Sequence, residues 1–273
     1  MTQSLVNRAD HEGAPAGDAA FARWLASRAG DLLLSLRAEM GHRDMDALRA
    51  AGDARAHEFI VGALARYRPA DAVLSEEGKD DPSRLAADRV WIVDPLDGTR
   101  EFGEEGRADW AVHIGLWQRT GQQSGKLAAG AVALPAQHRV LATGAAAPPY
   151  PPLSHQAAAG GRLRLAASRT RPPAFLSALA EDLGAELVPM GSAGAKIATV
   201  IDGDVDAYVH AGGQYEWDSA APVAVATATG LHTSRLDGSG LEYNRPNPLL
   251  ADLVVCRKDL APRLLAALAR RTG

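Results

Sequence analysis

Apolar side chains recur at helical spacing across residues 19–40, where Phe21, Trp24, Leu25, Leu32, Leu33 and Leu36 share a face. The pattern predicts a long amphipathic helix. A second helix is predicted over residues 54–67, with Phe59, Ile60, Ala63, Leu64 and Tyr67 on one side and Pro69 past its end. Short apolar runs then predict strands at 72–74, 90–93, 110–117, 127–134 and 138–142. Residues 144–161 interleave Pro148, Pro149, Pro151 and Pro152 with alanine and glycine, the composition of a linker or long exposed loop. Beyond it, strand and helix alternate. Strands are predicted at 163–167, 186–188, 206–209 and 253–256, and helices from about 172 and at 193–200, 219–229 and 260–271. The chain therefore divides into an N-terminal α+β half, residues 1–147, with an antiparallel sheet, and a C-terminal α/β half, residues 160–273.

Composition narrows the functions open to such a chain. The 29 basic and 33 acidic residues leave a formal charge of −4, with no basic stripe, which argues against a nucleic-acid binder. No run of roughly eighteen uncharged apolar residues is present, so no membrane span is expected. Asp10, Glu12 and Asp18 break the basic-then-apolar order of a secretory leader, and a cytoplasmic location is expected. The single cysteine, Cys256, lies in the apolar run Leu253-Val254-Val255-Cys256 and reads as a buried strand thiol. It excludes an internal disulfide and a cysteine-based zinc cluster.

The informative residues are acids placed where predicted strands end. Ser75-Glu76-Glu77 closes one strand and Asp94-Pro95-Leu96-Asp97-Gly98-Thr99 another. Trp217-Asp218 precedes the apolar helix from Ser219, and Asp53 stands at the expected start of the second helix. Singly, Asp94-Pro95 and Asp97-Gly98 are ordinary turn dipeptides, and Asp53 and Asp218 are ordinary helix N-caps. Together they suit hard divalent cations, which take several oxygens from rigid positions. The Leu96 carbonyl can add a ligand, while Gly98 and Thr99 offer a small residue, a hydroxyl and a helix start for an anion. Carboxylates beside an anion site suggest metal-assisted phosphate hydrolysis. The Asp-x-Asp-Gly-Thr motif of aspartyl-phosphate phosphatases is a near-match only, since Asp94 and Asp97 are three apart with a proline between them.

In this order the three motifs, Ser75-Glu76-Glu77, Asp94 to Thr99 and Trp217-Asp218-Ser219-Ala220-Ala221, resemble the metal motifs of the inositol monophosphatase superfamily. The superfamily includes fructose-1,6-bisphosphatases and 3′(2′),5′-bisphosphate nucleotidases, and the resemblance spans almost the whole chain. Thr99-Arg100-Glu101-Phe102 is similar to Gly-Thr-Lys-Glu-Phe of the bisphosphate nucleotidase branch called CysQ. Ser168-Arg169-Thr170-Arg171 resembles that branch's Ser-Arg-Ser-His, and Gly191-Ser192-Ala193-Gly194-Ala195-Lys196 its Gly-Ser-Ser-Leu-Lys. The chain departs from the branch in residues 43–53, which keep Asp53 but lack the lysine, Ser-Pro and threonine of the mobile loop linked to a third metal ion. It also departs at Arg171, where the branch has histidine.

The resemblance implies an α/β (α+β) fold, a layered αβαβα sandwich of the inositol monophosphatase/fructose-1,6-bisphosphatase type. It implies a lithium-sensitive phosphatase using two Mg²⁺, or three. Glu76, Asp94 and the Leu96 carbonyl would hold one ion, and Asp94, Asp97 and Asp218 a second. Glu76 and Thr99 would orient the attacking water, with Asp53 accepting from the Thr99 hydroxyl and Glu77 supporting Glu76. Substrate contacts are expected from Glu76, Leu96, Asp97, Gly98, Thr99, Asp218, Ser168, Arg169, Ser192 and Lys196. Lys196 is assigned to a non-reacting 5′-phosphate and Arg169 to the base or ribose. His113 reads as a structural strand residue, and no other histidine stands beside a motif. The implied substrate is a small bisphosphate nucleotide, 3′-phosphoadenosine 5′-phosphate or its phosphosulfate relative, cleaved in sulfate assimilation by a homodimer. Inositol monophosphatase or fructose-1,6-bisphosphatase activity on the same site, and a non-catalytic metal- and nucleotide-binding module, remain the alternatives.

Overall fold

The computed structural model describes residues 13–121, 124–144 and 160–272. Two helices, α1 (Asp18–Met40) and α2 (Met45–Tyr67), open the chain. They lead to strands β1 (Ala72–Ser75), β2 (Arg89–Asp97), β3 (Ala111–Arg119), β4 (Gly125–Leu134) and β5 (Arg139–Ala142), with the short helix α3 (Thr99–Gly103) after β2. The second half runs β6 (Leu163–Ser168), α4 (Leu176–Leu183), β7 (Ala185–Met190), α5 (Ala193–Asp202), β8 (Ala207–Tyr215) and α6 (Glu216–Ala228). It closes with β9 (His232–Ser234), β10 (Leu249–Cys256) and α7 (Ala261–Thr272).

Among the described residues the strands form two sheets, ordered β1-β2-β3-β4-β5 and β7-β6-β8-β10-β9. In the first sheet only β1 and β2 run parallel, and the remaining neighbours are antiparallel. Period-two alternation on β2 explains how the layers stack. Trp91 and Val93 pack with Phe21, Leu25, Leu33 and Ile60 of α1 and α2. Val90 and Ile92, on the opposite face, join Ile197, Val200 and Val223 of α5 and α6. The same middle cluster takes in Tyr208 and Val255 from the second sheet. That sheet's far side, Leu165, Val209, Val254 and Cys256, is covered by α4 and α7 through Leu179 and Leu264. The result is the expected αβαβα order of layers. Both halves of the chain contribute to the middle core.

Several expected boundaries shift for identifiable reasons. Asp53 does not begin a helix: α2 starts at Met45 with Asp44 as N-cap, whose carboxylate accepts from the Ala47 amide at 2.9 Å. Gly52 lies inside α2 and serves packing, since a Cβ there would lie 2.8 Å from the Phe102 ring and 2.9 Å from Leu96 Cδ2. Residues 45–53, the counterpart of the branch's mobile loop, thus lie within α2. Likewise α6 begins at Glu216, which puts Asp218 in its first turn and not before it. The helix expected from about 172 begins at Leu176, and β9 carries too few residues to show a pattern. The proline-rich segment falls mostly within 145–159, outside the described residues. Cys256 is buried in β10, as expected.

Candidate active site

Asp94 and Asp97 are three residues apart, and on a regular strand they would point to opposite faces. The pairing of β2 with β3 shifts between them: Asp94 faces His113 and Asp97 faces Ala111. Pro95 and Leu96 therefore oppose Val112 alone. Such a bulge, at a proline that donates no ladder hydrogen bond, turns both aspartates towards the middle layer. Asp94 is fully buried, and its Oδ1 accepts the Leu96 amide at 3.0 Å. Its Oδ2 is buried without a hydrogen-bond partner among the described residues. Gly98, in the left-handed region at φ +83°, then turns the chain into α3.

Asp97 is held by the start of α5. Its Oδ2 accepts from the Ser192 hydroxyl at 2.5 Å and the Gly194 amide at 2.8 Å, and lies 3.2 Å from His113 Nε2. Ser192 also caps α5, its Oγ accepting the Ala195 amide at 2.9 Å. Burial alone would raise the Asp97 carboxyl, but His113, Lys196 and Ser192 outweigh it and hold the group below its ordinary value. Gly194 cannot be larger, because a Cβ would stand 2.1 Å from His113 Nε2. His113 is wholly buried, and its Nδ1 lies 3.1 Å from the Trp217 carbonyl oxygen. The histidine read as structural thus joins the β2 acids to the turn carrying Asp218.

Asp218 projects from α6 with Oδ2 accepting the Tyr215 amide at 2.6 Å. One oxygen from each of Asp94, Asp97 and Asp218 can lie within 4.8 Å of the others. Glu76, exposed to the same cavity, completes the group. Crowding of acids shows in their titration. Burial pushes Asp94 well above the carboxylate range, and the charges of Glu76, Asp97 and Asp218 add to it. Burial and the nearby Asp97 charge push Asp218 and Glu76 each up to about 7. Burial, then Glu77, raises Asp53 to about 7 as well. Thr99 Oγ1 lies 3.0 Å from the Leu96 carbonyl and 3.4 Å from Asp53 Oδ1, so the expected Thr99–Asp53 contact is present but is the longer of the two.

These residues fit divalent cations. A buried carboxylate oxygen without a hydrogen bond, 4.0 Å from the nearest imidazole nitrogen and among acids that mutually resist ionisation, is costly unless positive charge is supplied. The donors are all hard oxygens, the set Mg²⁺ prefers.

The acids floor a cavity of about 330 Å³ whose walls include Gly98, Thr99, Ser168, Ser192 and Lys196. Two expected contacts are placed differently. Arg169 does not line this cavity; its Nη2 pairs with Glu101 at 2.7 Å and Glu104 at 2.8 Å. Lys196 reaches the wall but is only 4% exposed, and its Nζ donates to the Gly191 and Ser192 carbonyls at 3.2 and 2.8 Å. Burial lowers the Lys196 ammonium, against the opposing pull of Asp97 and Glu101. It acts as a brace of the loop that holds Asp97. Arg100 and Arg171 line the cavity, and their guanidinium groups make no hydrogen bond or ion pair among the described residues.

Sequence reasoning missed Tyr208, His210 and Gln214, which line the far wall from β8. Burial lowers His210 to about 4, so it is neutral at pH 7. Gln214 Nε2 donates to the Tyr208 hydroxyl at 3.0 Å. Alternation along 208-210-214 was the available signal, broken by Gly212 and Gly213, both at positive φ. His57 was also passed over; its Nδ1 lies 2.9 Å from Ser75 Oγ, beside Glu76.

A five-layer fold with clustered acids at a bulged strand end defines a class of phosphatase-like proteins. The chain belongs to the inositol monophosphatase family, which it matches over residues 18–272. It is 52% identical over 246 residues to the 3′-phosphoadenosine 5′-phosphate phosphatase of Mycobacterium bovis, covering 88% of this chain and 89% of that one. It is 30% identical over 239 residues to the 3′(2′),5′-bisphosphate nucleotidase CysQ of Escherichia coli, covering 80% and 91%. Among solved structures, Mycobacterium tuberculosis SuhB superposes with a TM-score of 0.69 at 24% identity, covering 95% of this chain and 98% of that one.

Proposed function

We propose that this protein is a Mg²⁺-dependent phosphatase that removes the 3′-phosphate of 3′-phosphoadenosine 5′-phosphate, giving AMP and phosphate. The observation that carries the reading is the cluster of Asp94, Asp97 and Asp218 on a cavity floor, where Asp94 Oδ2 has no hydrogen-bond partner among the described residues, with two uncommitted arginines on the wall. Identity of 52% to a phosphatase of that substrate supports it.

Glu76, Asp94, Asp97, Asp218 and the Leu96 carbonyl would hold the cations, two in number or three. When bound, these supply the charge that neutralises the phosphate and acidifies a water. The chain's own groups do the rest. Gly98 and Thr99 seat the reacting phosphate, and Glu76 with Thr99 holds the water in line with the leaving 3′-oxygen. Asp53 can take the Thr99 hydroxyl hydrogen, which frees the Leu96 carbonyl from that contact. The water oxygen bonds to phosphorus as the P–O3′ bond breaks; Glu76 accepts the proton the water gives up, and the leaving 3′-oxygen takes one from solvent. No covalent intermediate is proposed.

A bisphosphate nucleotide brings a second phosphate. Lys196 and Arg169 are committed elsewhere, so Arg100 and Arg171 are the cations left for it, with His210 beside them on the wall for the base. Phosphosulfate at the 5′ position would meet the same arginines. A cytoplasmic homodimer serving sulfate assimilation and inhibited by Li⁺ is part of the proposal and rests on the motif resemblance. The chain carries every motif acid, which supports catalysis over a binding module. Phosphate release from the nucleotide and from inositol and fructose phosphates, with and without Mg²⁺, tests the reading: release only from a sugar phosphate, or from none, would remove it.

A further inference from the structure

Two acids of the cavity come from segments far apart in the chain. Glu76 follows β1, and Asp218 sits in the first turn of α6. A buried polar network outside the cavity ties these segments together. Glu216, the first residue of α6, is 1% exposed. Its Oε2 accepts the Asn244 amide at 2.6 Å and its Oε1 accepts the Arg245 amide at 2.7 Å. Asn244 takes the left-handed conformation at φ +59°, a geometry that lets successive N–H groups converge on one anion. Arg84, also 1% exposed, grips the same turn from the other side. Its Nη1 donates to Asn244 Oδ1 at 2.7 Å and its Nη2 to the Arg245 carbonyl at 2.9 Å. Its Nε donates to Asp80 Oδ1 at 2.7 Å. Asp80 and Arg84 belong to the segment that follows Glu76 directly. Tyr243 adds a contact, its hydroxyl 3.1 Å from Ser219 Oγ, and the Glu216 amide donates to the Pro248 carbonyl at 2.8 Å.

A buried carboxylate and a buried guanidinium are an expensive way to hold a turn that apolar packing could hold as well. Neither group lines the catalytic cavity. Charged groups do offer directional contacts that fix position more sharply than apolar packing does. We infer that Glu216, Asn244 and Arg84 form a strut that sets Asp218 against Glu76 and thereby tunes the affinity for divalent cations. Glu216 and Arg84 are positioning residues of that site. The inference rests on the reading that Asp218 and Glu76 are cation ligands.

Glu216→Gln tests it. The amide keeps the shape but replaces one accepting oxygen by an NH₂ group, so one backbone amide loses its partner. Mn²⁺ binding to the metal-free full chain is measured by calorimetry without substrate, beside circular dichroism and thermal unfolding. The variant is expected to keep the wild-type spectrum and bind Mn²⁺ about tenfold more weakly, with kcat recovered at saturating metal, as a positioning role requires. Reduced thermal stability with unchanged Mn²⁺ affinity would overturn the strut. If Glu216→Gln does not fold, Tyr243→Phe decides, since it removes only the hydroxyl contact to Ser219. Weaker Mn²⁺ binding in that variant supports the inference, and unchanged binding overturns it. Wild-type chain that binds no Mn²⁺ would instead count against the cation site itself.

Discussion

His113 Nε2 lies 3.2 Å from Asp97 Oδ2, and Gly194 leaves the space that this contact needs. The imidazole reaches across from β3, while the Gly194 amide reaches the same oxygen from α5. Two elements of different layers therefore meet on one carboxylate. Gly194→Ala would put a methyl group 2.1 Å from the imidazole and force them apart. Overpacking of this kind costs about 1–3 kcal/mol. The variant is expected to unfold at lower temperature and to need more Mg²⁺ for half-maximal activity. Wild-type values for both would show that the contact is dispensable.

Asp94→Asn separates metal binding from folding. Burial, and then its acidic neighbours, raise Asp94 well above the carboxylate range, so the metal-free fold disfavours its charge and tolerates an uncharged amide in its place. An amide offers the cations no charge. The expected outcome is a metal-free chain at least as stable as wild type, with Mg²⁺-dependent hydrolysis abolished. Circular dichroism melts and phosphate release check the pair. Near-wild-type turnover at saturating Mg²⁺ would show that Asp94 is no ligand.

The pH dependence has a definite sign. Glu76, Asp53 and Asp218 titrate at about 7 in the metal-free fold, raised first by burial. Unfolded, they titrate at about 4. Each holds its proton more tightly when folded, so its stabilising contribution is full below about 4 and is lost as pH rises through about 7. Asp97, lowered by His113 and Lys196 against the burial that raises it, changes only below that window. With a chelator present, the unfolding temperature is expected to fall from about pH 5 to about pH 8, while the increment from added Mn²⁺ grows as cations displace protons. A metal-free chain that gains stability across that range would contradict these assignments.

The cavity cations should separate in kinetics. Arg171→Ala is expected to raise KM for the bisphosphate nucleotide roughly tenfold or more, the worth of a charge-assisted contact, and to leave an inositol phosphate little affected. Lys196→Ala should impair both substrates, since Lys196 braces the Gly191–Ser192 carbonyls beside Asp97. Steady-state kinetics on the two substrates measure the split. A selective nucleotide loss in Lys196→Ala, with none in Arg171→Ala, would return the second phosphate to Lys196.

The motif acids and Thr99 were legible because their chemistry is local: Glu76, Asp94, Asp97, Thr99 and Asp218 stand at strand ends or helix starts that hydrophobic patterning locates. The order of layers was implied by the motif resemblance alone: Val90, Trp91, Ile92 and Val93 are all apolar, so the run marks a strand buried on both faces and identifies no partners. The loop contacts were not legible. Arg169 is drawn away by Glu101 and Glu104, and Lys196 by carbonyls of its own loop. The start of α2 was placed too late because nothing local shows that Gly52 lies inside the helix, against Phe102 and Leu96. His113, on an apolar strand, gains its role only when the β2 bulge turns Asp97 towards it.

Phosphate release from 3′-phosphoadenosine 5′-phosphate, beside inositol 1-phosphate and fructose 1,6-bisphosphate, tests the proposed activity most directly. The chain is first stripped with a chelator and then assayed with and without Mg²⁺. The site predicts Mg²⁺-dependent conversion of the nucleotide to AMP and one phosphate, at a higher kcat/KM than for either sugar phosphate. No release with Mg²⁺ present, or a higher kcat/KM on a sugar phosphate, would contradict it.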